Sequence, residues 1–214
     1  MPRIKTIKED NPLFKHVNKR YSIQLEPFEK MLEMLNYSLI KFRKPALYKV
    51  VIYLKNEKQE LSPVLDELKR LYVGNSSCPS FYYHWAREYK VDSTHYGTHY
   101  HFTFIGEARD RDDNEWNVWQ RINHSLHLLQ SRGWINNYAF SVPKNESMKP
   151  HSLGACCYDP KRLGDLINWL SYNCKAETKE EVVGRKYGCS FVPIGFPIVN
   201  LPEEQANLLW MTAA

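Results

Sequence analysis

The chain has 214 residues, of which 43% are hydrophobic and 14% are aromatic. This composition is enough to bury one sizeable core, and the formal net charge of +5 permits an acidic partner such as a nucleic acid without requiring one. The stretch 1–10 lacks the apolar run of a signal peptide, and no apolar stretch reaches membrane-spanning length. We therefore expect a cytoplasmic protein that does not act at a membrane.

The cysteines argue against two other classes of protein. There are five, an odd number, and no two of them have the CxxC spacing of a structural zinc site. We expect reduced thiols rather than a framework of disulfides.

The first half of the chain alternates between helical and strand patterns. Residues 1–20 are basic and irregular, which is typical of an arm. In 26–42 and 60–72 the apolar residues recur with a helical period. The stretch 46–54 (ALYKVVIYL) is typical of a buried strand, and the aromatic-rich stretch 80–89 predicts a second strand.

The second half continues this mixture. A strand is predicted at 98–105, with strict alternation of side chains, and another at 136–142. Helices are predicted at 116–132, closed by Gly133 in the C-terminal capping position, and at 161–179. A last short strand is expected at 189–193. Because no regular βαβ repeat is present, the sequence predicts an α+β fold, with an antiparallel sheet and helices packed against it.

The strand at 98–105 carries the sharpest chemical pattern, His99-Tyr100-His101. Residues i and i+2 of a strand point to the same face, so the two imidazoles converge while Tyr100 enters the core. Two neutral imidazoles side by side form half of a ligand set for a divalent metal ion. An HxH triplet is common by chance, so other residues near it have to indicate whether it binds a metal ion.

The preceding strand offers a carboxylate near this histidine pair. A hairpin-like link at 89–97 would pair the two strands antiparallel and place Glu88 beside the histidines, where it would supply the oxygen ligand that a hard cation prefers. The alternative is that Glu88 is an exposed strand residue. His84, which shares a face with Glu88, and His95 in the link remain open as the third ligand.

The predicted helix at 161–179 presents a tyrosine and a lysine together. Tyr172 and Lys175 are one turn apart on a side other than the apolar stripe, which consists of Leu163, Leu166, Ile167, Leu170 and Cys174. A phenol becomes a good nucleophile only when a metal or a cation stabilises its charge, and Lys175 could provide this. The alternative is a half-buried tyrosine at a helix edge beside a solvated lysine.

Taken together, these patterns resemble a known family. The order of a carboxylate, an HxH strand and a later YxxK helix is similar to the HUH endonucleases, in particular their single-tyrosine replication-initiator (Rep) branch. The match is closer still to the inovirus gene-two-protein-like initiators of filamentous phages and prophages. The stretches that carry the resemblance are 83–88 (YHWARE), 99–101 (HYH), 172–179 (YNCKAETK) and 185–190 (RKYGCS).

The resemblance implies a domain organisation and a fold. It covers about 46–193, which would form the endonuclease domain, between an N-terminal basic arm and helix at 1–45 and a C-terminal tail at 194–214. A central sheet of about five antiparallel strands is expected, with the histidine pair at its centre and the tyrosine helix facing it. The family commonly has an apolar residue after the tyrosine, where this chain has Asn173.

The resemblance also implies an activity. His99, His101 and Glu88 would bind Mg²⁺ or Mn²⁺, Tyr172 would attack a phosphate of single-stranded origin DNA, and Lys175 would steady the developing charge. The expected setting is rolling-circle replication in the cytoplasm of a bacterial host, with the host helicase and polymerase as partners. The alternatives are a relaxase or transposase of the same fold, or a DNA-binding regulator without catalysis.

Strand binding calls for aromatic and basic side chains. The sequence offers candidates, although core packing is the commoner role for such aromatics: Tyr82, Tyr83, Trp116, Trp119, Lys41, Arg43, Lys44, Lys161 and Arg162.

Overall fold

A computed structural model describes residues 20, 22–42, 44–56, 59–73, 81–91, 96–107, 115–141, 160–176 and 185–190. Within them the helices are α1 (Leu25–Lys41), α2 (Leu61–Val73), α3 (Glu115–Ser131) and α4 (Pro160–Ser171), followed by a 3₁₀ turn (Tyr172–Cys174). The strands are β1 (Pro45–Leu54), β2 (Tyr82–Val91), β3 (Tyr96–Glu107), β4 (Ile135–Ser141) and β5 (Tyr187–Cys189). No helix of this part of the chain is both long and apolar enough to cross a membrane.

The five strands form one antiparallel sheet in the order β4-β1-β3-β2-β5. The histidine strand, β3, is the central strand, so its side chains are flanked on both sides by residues of β1 and β2. The predicted α+β fold with an antiparallel sheet and flanking helices is confirmed.

Each face of the sheet is covered by its own pair of helices. On one face, alternate residues of β1, β2 and β3 such as Val50, Trp85 and Phe102 join α2 and α3 in a hydrophobic cluster. On the other face, Leu47 and Ile105 join α1 and α4. This division follows from the two-residue period of strands, which sends neighbouring side chains to opposite layers.

The end of α3 is as predicted. Gly133 has a φ of +73° and donates its N–H to the Gln130 carbonyl, while Trp134 donates to the Leu129 carbonyl. A residue in the left-handed region is needed to satisfy these last carbonyls, and glycine adopts that conformation at the lowest cost.

Two predicted elements have to be corrected. The helix predicted at 161–179 ends at Ser171, passes through the 3₁₀ turn and is extended at Lys175, whose φ and ψ are −61° and 146°. The last strand is at Tyr187–Cys189 rather than 189–193, and residues 191–193 lie outside the described part. Long-range pairing explains both differences, because Lys175 bridges to Ile23 and β5 pairs with β2.

The segment before α1 is tied to the rest of the fold. Gln24 donates its N–H to the Cys174 carbonyl at 2.8 Å, and Ala176 donates to the Ser22 carbonyl at 2.7 Å. Ile23 and the apolar face of α1 share their hydrophobic cluster with α4. The division predicted at residue 45 stays a prediction, and the predicted tail at 194–214 lies outside the described residues.

Candidate metal centre and tyrosine site

Glu88, His99 and His101 come together on the face covered by α1 and α4. Glu88 lies directly opposite His99 in the β2–β3 register, and His101 is two residues further along β3 on the same face. The Glu88 carboxylate oxygen Oε2 is 3.3 Å from His101 Nε2 and 3.9 Å from His99 Nε2, and the two imidazole nitrogens are 3.2 Å apart. Glu88 and His99 are buried, and His101 is nearly so.

This triangle has the dimensions of a metal site. A circle through three atoms separated by 3.2, 3.3 and 3.9 Å has a radius of about 2.0 Å. Bonds from Mg²⁺ or Zn²⁺ to nitrogen and oxygen ligands are roughly 2.0–2.2 Å long. The cluster can therefore hold a metal ion without moving its ligand atoms far.

The electrostatics of the cluster keep both imidazoles neutral. Burial lowers the pKa of His99 to about 4, with a further lowering from His101, while Glu88 acts in the opposite direction. Burial also lowers the pKa of His101 against the hydrogen bond to Glu88, and Lys49 and Lys175 lower it further. A neutral imidazole has a free lone pair, which is the form that binds a metal ion.

Lys175 joins the cluster to Tyr172. The Lys175 ammonium is 3.2 Å from Glu88 Oε2 and donates a hydrogen bond of 2.5 Å to the Tyr172 hydroxyl. It also lies 3.8 Å from the centre of the Tyr172 ring, and that ring meets His101 edge-on at 5.6 Å between centroids. The two residues predicted as a pair are thus together, and both lie next to the predicted ligands.

The backbone around Lys175, rather than a helix, brings this about. The Lys175 carbonyl accepts a hydrogen bond of 3.2 Å from the Tyr187 hydroxyl of β5. The pairing of residues 22–24 with 174–176 holds the other side. The segment before α1 and strand β5 therefore position the lysine.

Three further residues lie beside the tyrosine and were not predicted. Buried Lys49 of β1 donates to the Trp169 carbonyl at 2.9 Å, and the Asn173 side-chain amide donates to Thr103 Oγ1 at 3.1 Å. The signal for Lys49 was present in the sequence, because it is the only charged residue in the strand pattern 46–54. The link between Asn173 and Thr103 spans 70 residues, and no local pattern reveals it.

The other candidate ligands are not part of the described cluster. His84 is buried on the same face but lies opposite Cys189 of β5, and its ring is 6.4 Å from the Tyr187 ring. His95 lies outside the described residues. Among the residues that are described, Glu88 is the carboxylate that accompanies the histidine pair.

The candidate DNA-contacting residues that the structure describes divide into two groups. Three aromatics are half-buried and pack on other rings: Tyr82 on Phe42, Tyr83 on Phe81 and Trp119 on Phe140. Lys41 and Lys44 are exposed. Arg43 and the side chains of Trp116, Lys161 and Arg162 lie outside the described part.

The segment 185–190 forms the edge of the site. Gly188 lies directly opposite Trp85, and a Cβ at this position would come within 2.5 Å of Trp85 Nε1. The absence of a side chain therefore lets β5 pair closely with β2 and bring Tyr187 to Lys175.

No protein-family model, no curated protein and no solved structure matches the chain.

Proposed function

We propose that this chain is a metal-dependent enzyme that nicks and rejoins single-stranded DNA, with Tyr172 as the nucleophile. The observation that carries the proposal is that Lys175 contacts both the Tyr172 hydroxyl, at 2.5 Å, and the Glu88 oxygen of the metal-binding cluster, at 3.2 Å. A buried ion pair is costly to maintain, and its position between a phenol and a ligand cluster suits a reaction centre.

The chemistry that this arrangement favours is phosphoryl transfer to the tyrosine. Tyr172 loses its proton and its oxygen forms a bond to phosphorus, while the bond from phosphorus to the 3′ oxygen breaks and that oxygen takes up a proton. The products are a 5′-phosphotyrosine and a free 3′-hydroxyl. Because the step is reversible in kind, attack by a 3′-hydroxyl on the phosphotyrosine rejoins a strand and releases Tyr172.

Lys175 has two tasks in this step. Its ammonium stabilises negative charge on the Tyr172 oxygen as the proton leaves, and the buried surroundings strengthen that interaction. The ion pair with Glu88 holds the ammonium where it can do so. Replacing one such preorganised donor in an enzyme typically lowers the rate by roughly 10²–10³-fold.

His99, His101 and Glu88 would hold the divalent ion. When bound, Mg²⁺ or Mn²⁺ supplies Lewis-acid polarisation of the scissile phosphate and a template for its oxygens. Imidazole ligands also suit Zn²⁺ and Fe²⁺, so the metal preference is part of the test. The neutral state of the imidazoles at pH 7 supports binding of the ion.

The biological role that we propose is initiation of rolling-circle replication. The 3′-hydroxyl released in the step is the end that a host polymerase extends, and a host helicase would unwind the duplex in the bacterial cytoplasm. The exposed Lys41 and Lys44 and the net charge of +5 favour an anionic partner. A relaxase or transposase would share the chemistry, and a regulator without catalysis would share only the binding.

The test is the formation of a covalent adduct. Labelled single strands that tile the DNA encoding the chain and its flanks are incubated with protein and Mn²⁺, Mg²⁺, Zn²⁺ or EDTA. We expect a denaturation-resistant protein–DNA band that requires a metal ion and is lost in Tyr172→Phe. Tyr138→Phe is the matched control, because Tyr138 lies on β4 and bonds to Asn123, and it should retain the band.

Each other outcome has a definite meaning. Binding without an adduct on every strand would favour a regulator that has no nuclease activity. An adduct that persists in Tyr172→Phe would identify a different nucleophile, which peptide mapping of the linked protein would locate. The position of the nick relative to the replication origin separates an initiator from a transposase.

A further inference from the structure

Two hydrogen bonds, one part-buried and one buried, attach the segment around Tyr172 to the sheet. Lys49 of β1 donates to the carbonyl of Trp169, three residues before the tyrosine. Asn173, the residue after the tyrosine, donates to the hydroxyl of Thr103 of β3. Lys49 and Thr103 lie directly opposite each other in the β1–β3 register, so one cross-strand pair holds the segment on both sides of Tyr172.

The same pair is close to the metal-binding residues. Thr103 is two residues along β3 from His101, and side chains at i and i+2 of a strand share a face. Any shift of the tyrosine segment relative to β3 would therefore have to break a hydrogen bond. The anchors connect the position of the nucleophile to the strand that carries the two imidazoles.

Burial alone does not explain why Lys49, Thr103 and Asn173 are polar. Asn173 and Thr103 have exposures of 0%, and Lys49 of 3%. The side-chain oxygen Oδ1 of Asn173 is buried without a hydrogen-bond partner among the described residues. An apolar side chain would avoid this energetic cost. What Asn173 contributes that an apolar residue lacks is its bond to Thr103.

Lys49 anchors the end of a helix. Trp169 is in the last turn of α4, where carbonyls have no partner within the helix and the helix dipole is negative. A cation at this place satisfies one carbonyl and interacts favourably with the dipole. The Lys49 ammonium also lies 4.9 Å from the centre of the Trp169 ring and 5.5 Å from that of Tyr172, so it packs under both aromatic side chains.

We propose that Lys49, Thr103 and Asn173 are positioning residues that hold the Tyr172 oxygen in register with the Glu88–His99–His101 cluster. The catalytic part of this inference rests on the proposed function of Tyr172. The three residues are buried and act through Tyr172. A displacement of about 1 Å at a reacting group can lower a rate roughly 100-fold.

The experiment uses the full chain and two readouts. The first is the ¹⁹F spectrum of 3-fluorotyrosine placed at position 172 in metal-free protein. The second is the single-turnover rate of adduct formation, measured beside the dissociation constant for the same strand. The variants are Thr103→Val, Asn173→Leu, their double variant and Lys49→Met.

We expect the fluorine resonance to be single and narrow in the parent protein and to broaden or split in each variant. The single-turnover rate should fall roughly 10- to 100-fold with an unchanged dissociation constant. The double variant should lose no more than the worse single variant, because both remove the same bond. Thr103→Ser, which keeps the hydroxyl, should restore both readouts.

Ser125→Ala is the matched control. It removes the hydrogen bond that the hydroxyl of buried Ser125 donates to the Arg121 carbonyl in α3, on the opposite side of the sheet. It should leave the fluorine resonance and the adduct rate unchanged, even where it lowers the thermal midpoint. A stability loss common to all variants is thereby separated from a loss of position.

An unchanged resonance and an unchanged rate in Thr103→Val would overturn the inference, whatever the variant does to stability. Should the parent protein form no adduct, the proposed function fails, and the fluorine spectrum still decides whether these residues position Tyr172. A Thr103→Ser variant as impaired as Thr103→Val would also contradict the role of the hydroxyl.

Discussion

The two faces of the central sheet use the same strands but different kinds of residue. The face under α2 and α3 is lined by apolar and aromatic side chains such as Tyr100, Phe102 and Phe104. On the face under α1 and α4, the strand residues of the hydrophobic cluster, Leu47 and Ile105, lie towards one end. The remainder of this face carries buried ionisable and polar groups: Lys49, His84, Glu88, His99 and Thr103.

This difference shows how one strand contributes both to a hydrophobic core and to a candidate metal site. In β3 the residues alternate, so Tyr100 and Phe102 build one core while His99 and His101 face the other layer. Burial of the ionisable groups is costly, and the aromatic face supplies apolar burial that offsets this cost. The register matters for the same reason, because a slip of one residue would exchange the two faces.

The largest effect on stability is expected on the aromatic face. Phe104 is 1% exposed and its ring lies 5.2 Å from Phe102 and 5.3 Å from Phe81. Phe104→Ala should lower the free energy of unfolding by about 3–5 kcal/mol, because it leaves a cavity. Urea unfolding measures this change, and calorimetric titration of the folded variant should give an unchanged affinity for Mn²⁺. A matching loss of Mn²⁺ affinity would mean that the faces are not independent.

The second effect is stabilisation of the folded protein by a metal ion bound on the face under α1 and α4. Mn²⁺ at 100 times its dissociation constant should stabilise the folded protein by about 2.7 kcal/mol relative to EDTA. His101→Asn should lose most of this gain, since it removes one ligand of the cluster. The exposed His127 offers a control, and His127→Asn should keep the gain. Equal stabilisation of both variants would place the ion elsewhere.

The third effect concerns the same face and depends on pH. Burial lowers the pKa of His99 from 6.5 to about 4 on folding, so between these values the unfolded chain binds more protons than the folded one. With respect to His99, the free energy of unfolding is therefore highest above pH 6.5 and decreases as the pH falls towards about 4. Urea unfolding in EDTA across this window should show a weaker pH dependence in His99→Asn. An identical dependence would contradict the burial of this imidazole.

Local patterns were enough for most of the fold. The periods of 3.6 and 2 predicted the helices and strands, since they reflect which residues face a core, and Gly133 marked the end of α3. The alternation in β3 predicted that His99 and His101 share a face, and the link of residues 89–97 indicated a hairpin that places Glu88 beside them. The register confirms this placement.

The lysine shows where such reasoning stops. A YxxK pattern predicts a helical pair, and Tyr172 and Lys175 are indeed in contact. Yet Lys175 is extended, because Ile23 bridges to it and the Tyr187 hydroxyl bonds to its carbonyl. These partners are far away in the chain, and helix propensity is a weak preference that tertiary contacts override.

The sequence by itself determined the alternation of the strands, the histidine pair and the candidate nucleophile, because these depend on residues close together in the chain. Only the tertiary structure decided how Lys175 reaches Glu88, and that Lys49 and Thr103 anchor the segment around Tyr172. The reason is physical. A hydrogen bond between residues 70 or 120 positions apart leaves no periodic trace, and it forms only once the packing of the helices on the sheet has brought its two ends together.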